Sequence, residues 1–155
     1  MRGRLGFSLI ELIIVVVILG VLAAVAIPRL SRGSEGAGIN AFVNEINNLS
    51  KVIDMYQVET GNKISDSQTG ITPRELGDYL HATTWEGQTP LGGEWDLERD
   101  DSGVTLAVGV HYMRSSTSPD EDKLTRVDEL LDDGDLSTGT FRKIASKRYY
   151  LVLEE

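Results

Sequence analysis

From Phe7 to Ile27 the chain reads as an almost unbroken run of apolar side chains, interrupted by Ser8, Glu11 and Gly20. As a helix these 21 residues span about 31 Å at ~1.5 Å per residue, enough to cross a hydrocarbon core of about 30 Å. The pattern predicts a transmembrane helix over residues 7–28. Past Pro28 it becomes periodic: Ile39, Phe42, Val43, Ile46, Leu49, Ile53 and Tyr56 fall on one helical face. This predicts an amphipathic continuation over residues 29–60, with Gly61 as a natural stop. Pro28 removes a backbone donor, and Gly33, Gly36 and Gly38 weaken helix propensity. Gly20 and Pro28 therefore mark a kink or locally melted stretch, a plain linker being the alternative.

Residues 61–155 read as a globular head. Thr72-Pro73-Arg74-Glu75 and Ser118-Pro119-Asp120-Glu121 each combine an N-cap hydroxyl, Pro at the first helical position and Glu at the third, so each should open a helix. The second helix runs through Leu124, Val127, Leu130 and Leu131 to Gly134. Between them, Trp95 and Leu97 alternate with acids, and Val104, Leu106, Val108, Val110 and Tyr112 alternate with smaller or polar residues. With Asp100-Asp101-Ser102-Gly103 as its turn, this is a hairpin with one buried face. Tyr149–Leu153 reads as a last strand. The order predicts an α+β fold in which a long N-terminal helix packs on a small antiparallel sheet. No internal repeat is visible.

Composition narrows the chemistry. The 155 residues contain no cysteine, which excludes a disulfide framework, a thiolate metal site and a cysteine nucleophile. Net charge is −9, which argues against a nucleic-acid partner. His81 and His111 lie thirty residues apart, too few and too distant for a zinc site, and no Ser/His/Asp set assembles from local motifs. No enzyme activity and no cofactor is expected.

Glu11 is the anomaly. An acid inside a membrane segment costs about 2.5–3.5 kcal/mol on translocon scales, and nothing within the segment offers it a partner. Arg4 could snorkel toward it from the membrane edge. Two readings compete here. A cleaved secretory signal would use Arg2 and Arg4 as its basic region and Ala24-Val25-Ala26 as its cleavage pattern, but such signals carry shorter apolar runs of about 7–15 residues. The other reading rests on Gly6-Phe7-Ser8-Leu9-Ile10-Glu11-Leu12, a string that resembles the processing site of type IV pilins and type II secretion pseudopilins. The resemblance covers residues 1 to about 60, including a short basic leader (residues 1–6), Gly20 and Pro28. A weaker likeness, in Thr89-Pro90-Leu91-Gly92-Gly93-Glu94-Trp95, is to the stretch joining helix and sheet in some pilin-like proteins.

The resemblance implies a pilin-like structural subunit of a type II secretion pseudopilus or type IV pilus. A prepilin peptidase would cut after Gly6 and methylate the new amine of Phe7. In the filament, the Phe7 amine of one subunit would meet the Glu11 carboxylate of a neighbour, neutralising two charges unfavourable in lipid. Implied partners are the peptidase, further copies or other pilin-like subunits, and an inner-membrane assembly platform. The implied location is the inner membrane, single-pass, with the head in the periplasm, and the filament after assembly. Charge alone barely orients the chain, because Arg2 and Arg4 on one side are matched by Arg29 and Arg32 on the other. The contrasting reading is a membrane-anchored extracytoplasmic binding module that never enters a filament.

Two acidic groups remain. Asp96, Glu98, Asp100 and Asp101 alternate or cluster at the hairpin turn, but lack the glycine and terminal acid of an EF-hand loop. Asp128, Asp132, Asp133 and Asp135 gather at a helix end. Major pseudopilins, which this chain resembles in length, often hold Ca²⁺ in a C-terminal loop whose characteristic sequence is missing here. Both groups read as solvated turns or caps rather than metal sites. His111, opposite Val110 and Tyr112, is expected to be exposed, and Trp85, Trp95, Tyr149 and Tyr150 are expected in the core rather than on a sugar-stacking surface.

Overall fold

The structure is a computed structural model, and it describes residues 8–113 and 118–155, without the side chains of residues 28–32 and Ala82. The chain divides into two compact units, residues 1–37 and 38–155. One helix, α1 (Leu9–Thr60), contributes to both, and its helical assignment continues through Gly20 and Pro28. Gly61 ends it at φ +66°, its N–H donating to the Gln57 carbonyl at 2.9 Å.

In the second unit α1 is followed by a 3₁₀ turn at Arg74–Leu76, the short α2 (Ala82–Trp85), β1 (Glu94–Asp101), β2 (Val104–His111), α3 (Glu121–Leu131), β3 (Phe141–Ala145) and β4 (Arg148–Glu154). The four strands form one antiparallel sheet in the order β1-β2-β4-β3. The expected α+β fold is present. Ile39, Phe42, Ile46, Leu49 and Ile53 are buried along one face of α1, and Val43 and Tyr56 flank them half-buried. They share a core with Trp95, Leu97, Leu106, Val108, Val110 and Tyr149 from the sheet. Phe42 stacks on Trp95 with ring centroids 5.1 Å apart and meets the edge of Phe141 at 6.3 Å. Each such side chain removed from water contributes about 1.5–3 kcal/mol. Trp85, Trp95, Tyr149 and Tyr150 are all buried, as core packing requires.

Four sequence expectations need correction. The hairpin turn falls at Ser102-Gly103 as its residues require, both at positive φ, yet the hairpin is buried on both faces. Asp96, Glu98, Ala107 and His111 on the outer face are as inaccessible as Trp95 and Leu97 on the inner one. The helix starts also shift. Asp120, not Ser118, caps α3, its carboxylate accepting from the Lys123 N–H at 3.3 Å, because the Asp side chain lies within reach of the first turn. Pro73 occupies the cap position of the 3₁₀ turn, while the Thr72 hydroxyl is buried without a partner. Finally, β3 is an additional edge strand. It forms a hairpin with β4 through a turn in which Lys147 adopts φ 60°, a position where sequence reasoning looks for Gly or Asn.

Candidate functional site

The N-terminal unit is built around Leu9–Ile27, the helix long and apolar enough to cross a membrane among the described residues. None of its side chains is buried within the chain: Leu9, Ile10, Leu12, Ile18, Val21 and Ile27 are all more than half exposed. At its start the Glu11 Oε2 accepts a hydrogen bond from the Ser8 backbone N–H at 2.8 Å. Ser8 and Glu11 thus hold the cap and third positions of a capping box, and Glu11 satisfies one of the donors that a helix start leaves unpaired. That corrects the expectation that nothing within the segment partners Glu11, since the partner is backbone and does not show in a side-chain pattern. A Cβ on Gly20 would meet nothing within 4 Å, so no packing within the chain demands glycine there. Gly6 and Phe7 lie outside the described residues.

The head carries a polar site that sequence reasoning missed. Asp96 on β1, His111 on β2 and Tyr150 on β4 sit on the outer face of the sheet, joined by Thr69 from the segment before the 3₁₀ turn. The Asp96 Oδ2 accepts from Tyr150 Oη at 2.6 Å, from Thr69 Oγ1 at 3.0 Å and from His111 Nδ1 at 3.2 Å. Three polar groups converge on this one buried oxygen, and where it accepts from His111 the imidazole carries its proton on Nδ1. His111, expected exposed, is 7% accessible because this segment covers it. Burial pulls its basicity below the usual histidine value, helped by Arg148 and opposed by Asp96. Beside it, Glu98 pairs with Arg148 at 2.7 Å, yet burial pushes its pKa up to about 7. A cleft of about 390 Å³ opens over these groups, lined in part by Asp66, Thr69, Asp96, Glu98, Asp101 and Arg148.

This constellation is not a nucleophile relay. A relay needs the imidazole between hydroxyl and carboxylate, with a different ring nitrogen on each. Here Thr69 and Asp96 meet the same nitrogen, and the hydroxyl donates directly to the carboxylate. The arrangement ties three strands and a loop together. A single alternation of acid and aromatic along β1 hints at it, but the donors come from residues 15 to 54 positions away.

The second acidic group is divided. Asp132, Asp133 and Asp135 are exposed in the loop after α3, while Asp128 is fully buried within the helix. The solvated-cap reading therefore fails for Asp128, as it does for Asp96 and Glu98.

Comparisons with known proteins place these features in a family. A model of the prokaryotic N-terminal methylation motif matches residues 1–27. The chain is 35% identical to the type II secretion system core protein G of Klebsiella michiganensis over 105 residues, 62% of this chain and 74% of that one. It is 38% identical to the type IV wide pilus major component PilA4 of Thermus thermophilus over 66 residues, covering 43% and 50%. The structure of the major type IV pilin PilA1 from Clostridium difficile superposes with a TM-score of 0.55 at 16% identity, covering 81% of this chain and 99% of that one, which shows a shared fold. The chain spans about half the length of most of the curated relatives it matches. It belongs to the family of type IV pilins and type II secretion pseudopilins. These relatives are structural subunits, and with the long apolar helix found among its described residues the chain is a membrane-anchored pilin-like protein.

Proposed function

We propose that this chain is a structural subunit of a type II secretion pseudopilus or type IV pilus. It is stored in the inner membrane with residues 7–28 across the bilayer and residues 29–60 and 61–155 on the periplasmic side. A prepilin peptidase removes residues 1–6 and methylates the Phe7 amine. An inner-membrane assembly platform then stacks the helix against those of other subunits. The observation that carries this reading is the helix Leu9–Ile27, long and apolar enough to cross a membrane and exposed along its whole length, with Glu11 as its one acidic residue. A helix that only anchors needs lipid around it; one that also polymerises can exchange lipid for neighbouring helices, because packing between apolar helices costs no desolvation of polar groups. Gly20 and Pro28 support the same step. Proline lacks the N–H that would pair with the Ala24 carbonyl, and together with glycine it lowers the cost of bending or unwinding the helix when subunits pack.

The test is intact-mass and terminal-peptide analysis of the protein recovered from membranes. Phe7 bearing one added methyl group is the expected N-terminus. A mature chain beginning at Ile27 would overturn the reading in favour of a cleaved secretory signal.

A further inference from the structure

Residues 65–71 cross the outer face of the sheet without helix or strand, pinned at two buried residues, Ile64 and Thr69. Ile64 lies in the main core, and its carbonyl accepts from Arg99 Nη1 at 3.0 Å. The Thr69 hydroxyl donates to Asp96 and stands 3.1 Å from His111 Nδ1, and the Gly70 N–H donates to the Trp95 carbonyl at 2.8 Å. Between the pins, Ser65, Asp66 and Gln68 are exposed. We propose that this segment is a proton-operated flap, closed over the cleft of about 390 Å³ while Glu98 is protonated and released when Glu98 ionises.

The charges around the cleft are unbalanced. Asp96, Glu98 and Asp101 of β1 and Asp66 of the flap line it, and Arg148 of β4 is the one basic residue among its described lining. Arg148 stands 2.7 Å from Glu98 and 3.4 Å from Asp101, so both acids share one guanidinium. His111 on β2 and Tyr150 on β4 are both engaged with Asp96. A proton on the buried Glu98 removes one of four negative charges from a space poor in water, and turns Glu98 into a donor facing Asp101. Without that proton, four carboxylates surround one cation. The three on β1 cannot separate, because β1 is paired with β2 from Glu94 to Asp101. Asp66 is the member outside the strand, so lifting the flap is the relief that breaks fewest bonds: it carries Asp66 away and lets water reach Glu98.

The acid strengths agree with this geometry. Burial holds Glu98 at a pKa of about 7 despite Arg148. Asp66 is also raised, by loss of water and by Asp96 and Asp101, against the Ser67 N–H and Arg148. An open flap returns Glu98 toward the ordinary glutamate value, so opening releases a proton between about pH 4.5 and about pH 7. Across that window the opening constant rises by up to about tenfold per pH unit, and above it the curve flattens. His111 pulls the other way: its basicity is lowered by burial under the same cover, so opening takes up a proton below the ordinary histidine range. The wild-type curve is therefore shallower than the Glu98 contribution, which a variant at Glu98 isolates.

The experiment is hydrogen–deuterium exchange of the full chain in detergent micelles from about pH 5 to about pH 8, with observed rates divided by intrinsic ones. Mass spectrometry follows a peptide spanning residues 65–71 and a core peptide from residues 42–53 of α1. The variants are Glu98→Gln, Asp66→Asn and Thr69→Val, with Asp54→Asn on the exposed side of α1 as the control. Relative to Glu98→Gln, wild type and Asp54→Asn should lose flap protection by about tenfold or more over this range. Asp66→Asn should keep the flap better protected than wild type at the alkaline end, and Thr69→Val should expose it throughout. Dilute urea, about 1 M, separates local from global opening, because its effect scales with the surface exposed: core protection should fall while flap protection hardly changes. Flap protection that runs parallel in wild type and Glu98→Gln overturns the proposal. Equal protection and equal urea response in the two peptides overturn it too, since the flap then opens only when the head unfolds. Should Glu98→Gln fail to fold, Asp66→Asn carries the test, and flap protection equal to wild type at the alkaline end overturns the proposal.

Discussion

The Tyr150 hydroxyl donates to the Asp96 carboxylate at 2.6 Å by laying its ring across the strand between them. Asp96 on β1, Gly109 on β2 and Tyr150 on β4 are register partners in one row, and Gly109 leaves the middle of that row empty. A Cβ there would collide with the Tyr149 carbonyl oxygen and stand 2.5 Å from the Tyr150 Cα. Both obstacles are backbone in a central pair of strands and cannot move aside. Gly109→Ala should therefore destabilise the protein by about 2–3 kcal/mol or more, measured as a lowered denaturant midpoint.

The bond itself should be worth less than the space. Tyr150→Phe keeps the ring and removes the hydroxyl, leaving Asp96 with Thr69 and His111 as donors. The expected loss is about 1.5–3 kcal/mol, the range for hydrogen bonds to a charged group. Asp96→Ala should cost more than Tyr150→Phe, because it leaves three donors unsatisfied at once. Chemical denaturation of the two variants in parallel checks the order.

Glu98 gives the head a pH dependence of definite sign. Burial raises its pKa from the ordinary glutamate value to about 7, Arg148 opposing and Asp96, Asp66 and Asp101 adding to the rise. The folded state then binds the proton more readily than the unfolded one, so the Glu98 contribution is complete below about pH 4.5 and is lost as pH rises through about 7. His111 acts in the other direction: its lowered folded value means stability is lost as pH falls below the ordinary histidine range. Replacing Glu98 by Gln isolates the first effect. The stability of wild type relative to Glu98→Gln should fall between pH 5 and pH 8, in paired unfolding curves across that range. A constant difference would show that Glu98 does not titrate there.

Much of this architecture is legible in the sequence. Ile39, Phe42, Ile46, Leu49 and Ile53 announce their buried face by spacing alone, and Asp100-Asp101-Ser102-Gly103 brackets the turn, which narrows to its last two residues because Asp100 and Asp101 belong to β1. What escapes is whatever depends on a second layer. Asp96, Glu98 and His111 alternate with apolar residues, as an exposed strand face does, and only the covering segment around Thr69 makes that face an interior. Asp128 looks like one more acid in an acidic run, though it occupies the same helical side as Leu124 and is buried with it. The strand Phe141–Ala145 is hidden by a turn without glycine or asparagine. In the N-terminal helix, Glu11 stands out as costly, but a backbone partner one turn earlier leaves no trace in hydropathy.

That partner shapes the prediction for Glu11. The Ser8 N–H occupies Glu11 Oε2, and the second carboxylate oxygen retains lone pairs for another donor. A positive amine at the start of a neighbouring helix could approach the charge without breaking the cap. Glu11→Ala removes the carboxylate and the cap together, yet Glu11 belongs to the first compact unit and the core to the second. The head should unfold at the wild-type midpoint, and the subunit should be made, inserted and processed. Incorporation into filaments should fall severely, measured as the sheared or secreted filament fraction relative to the membrane pool. Glu11→Gln separates the two roles, because its amide oxygen can still accept from Ser8 while the charge is gone. If the charge is what assembly requires, Glu11→Gln fails like Glu11→Ala; if the cap is, it assembles. Wild-type filament yield from both variants would remove Glu11 from assembly and favour a helix that serves as an anchor alone.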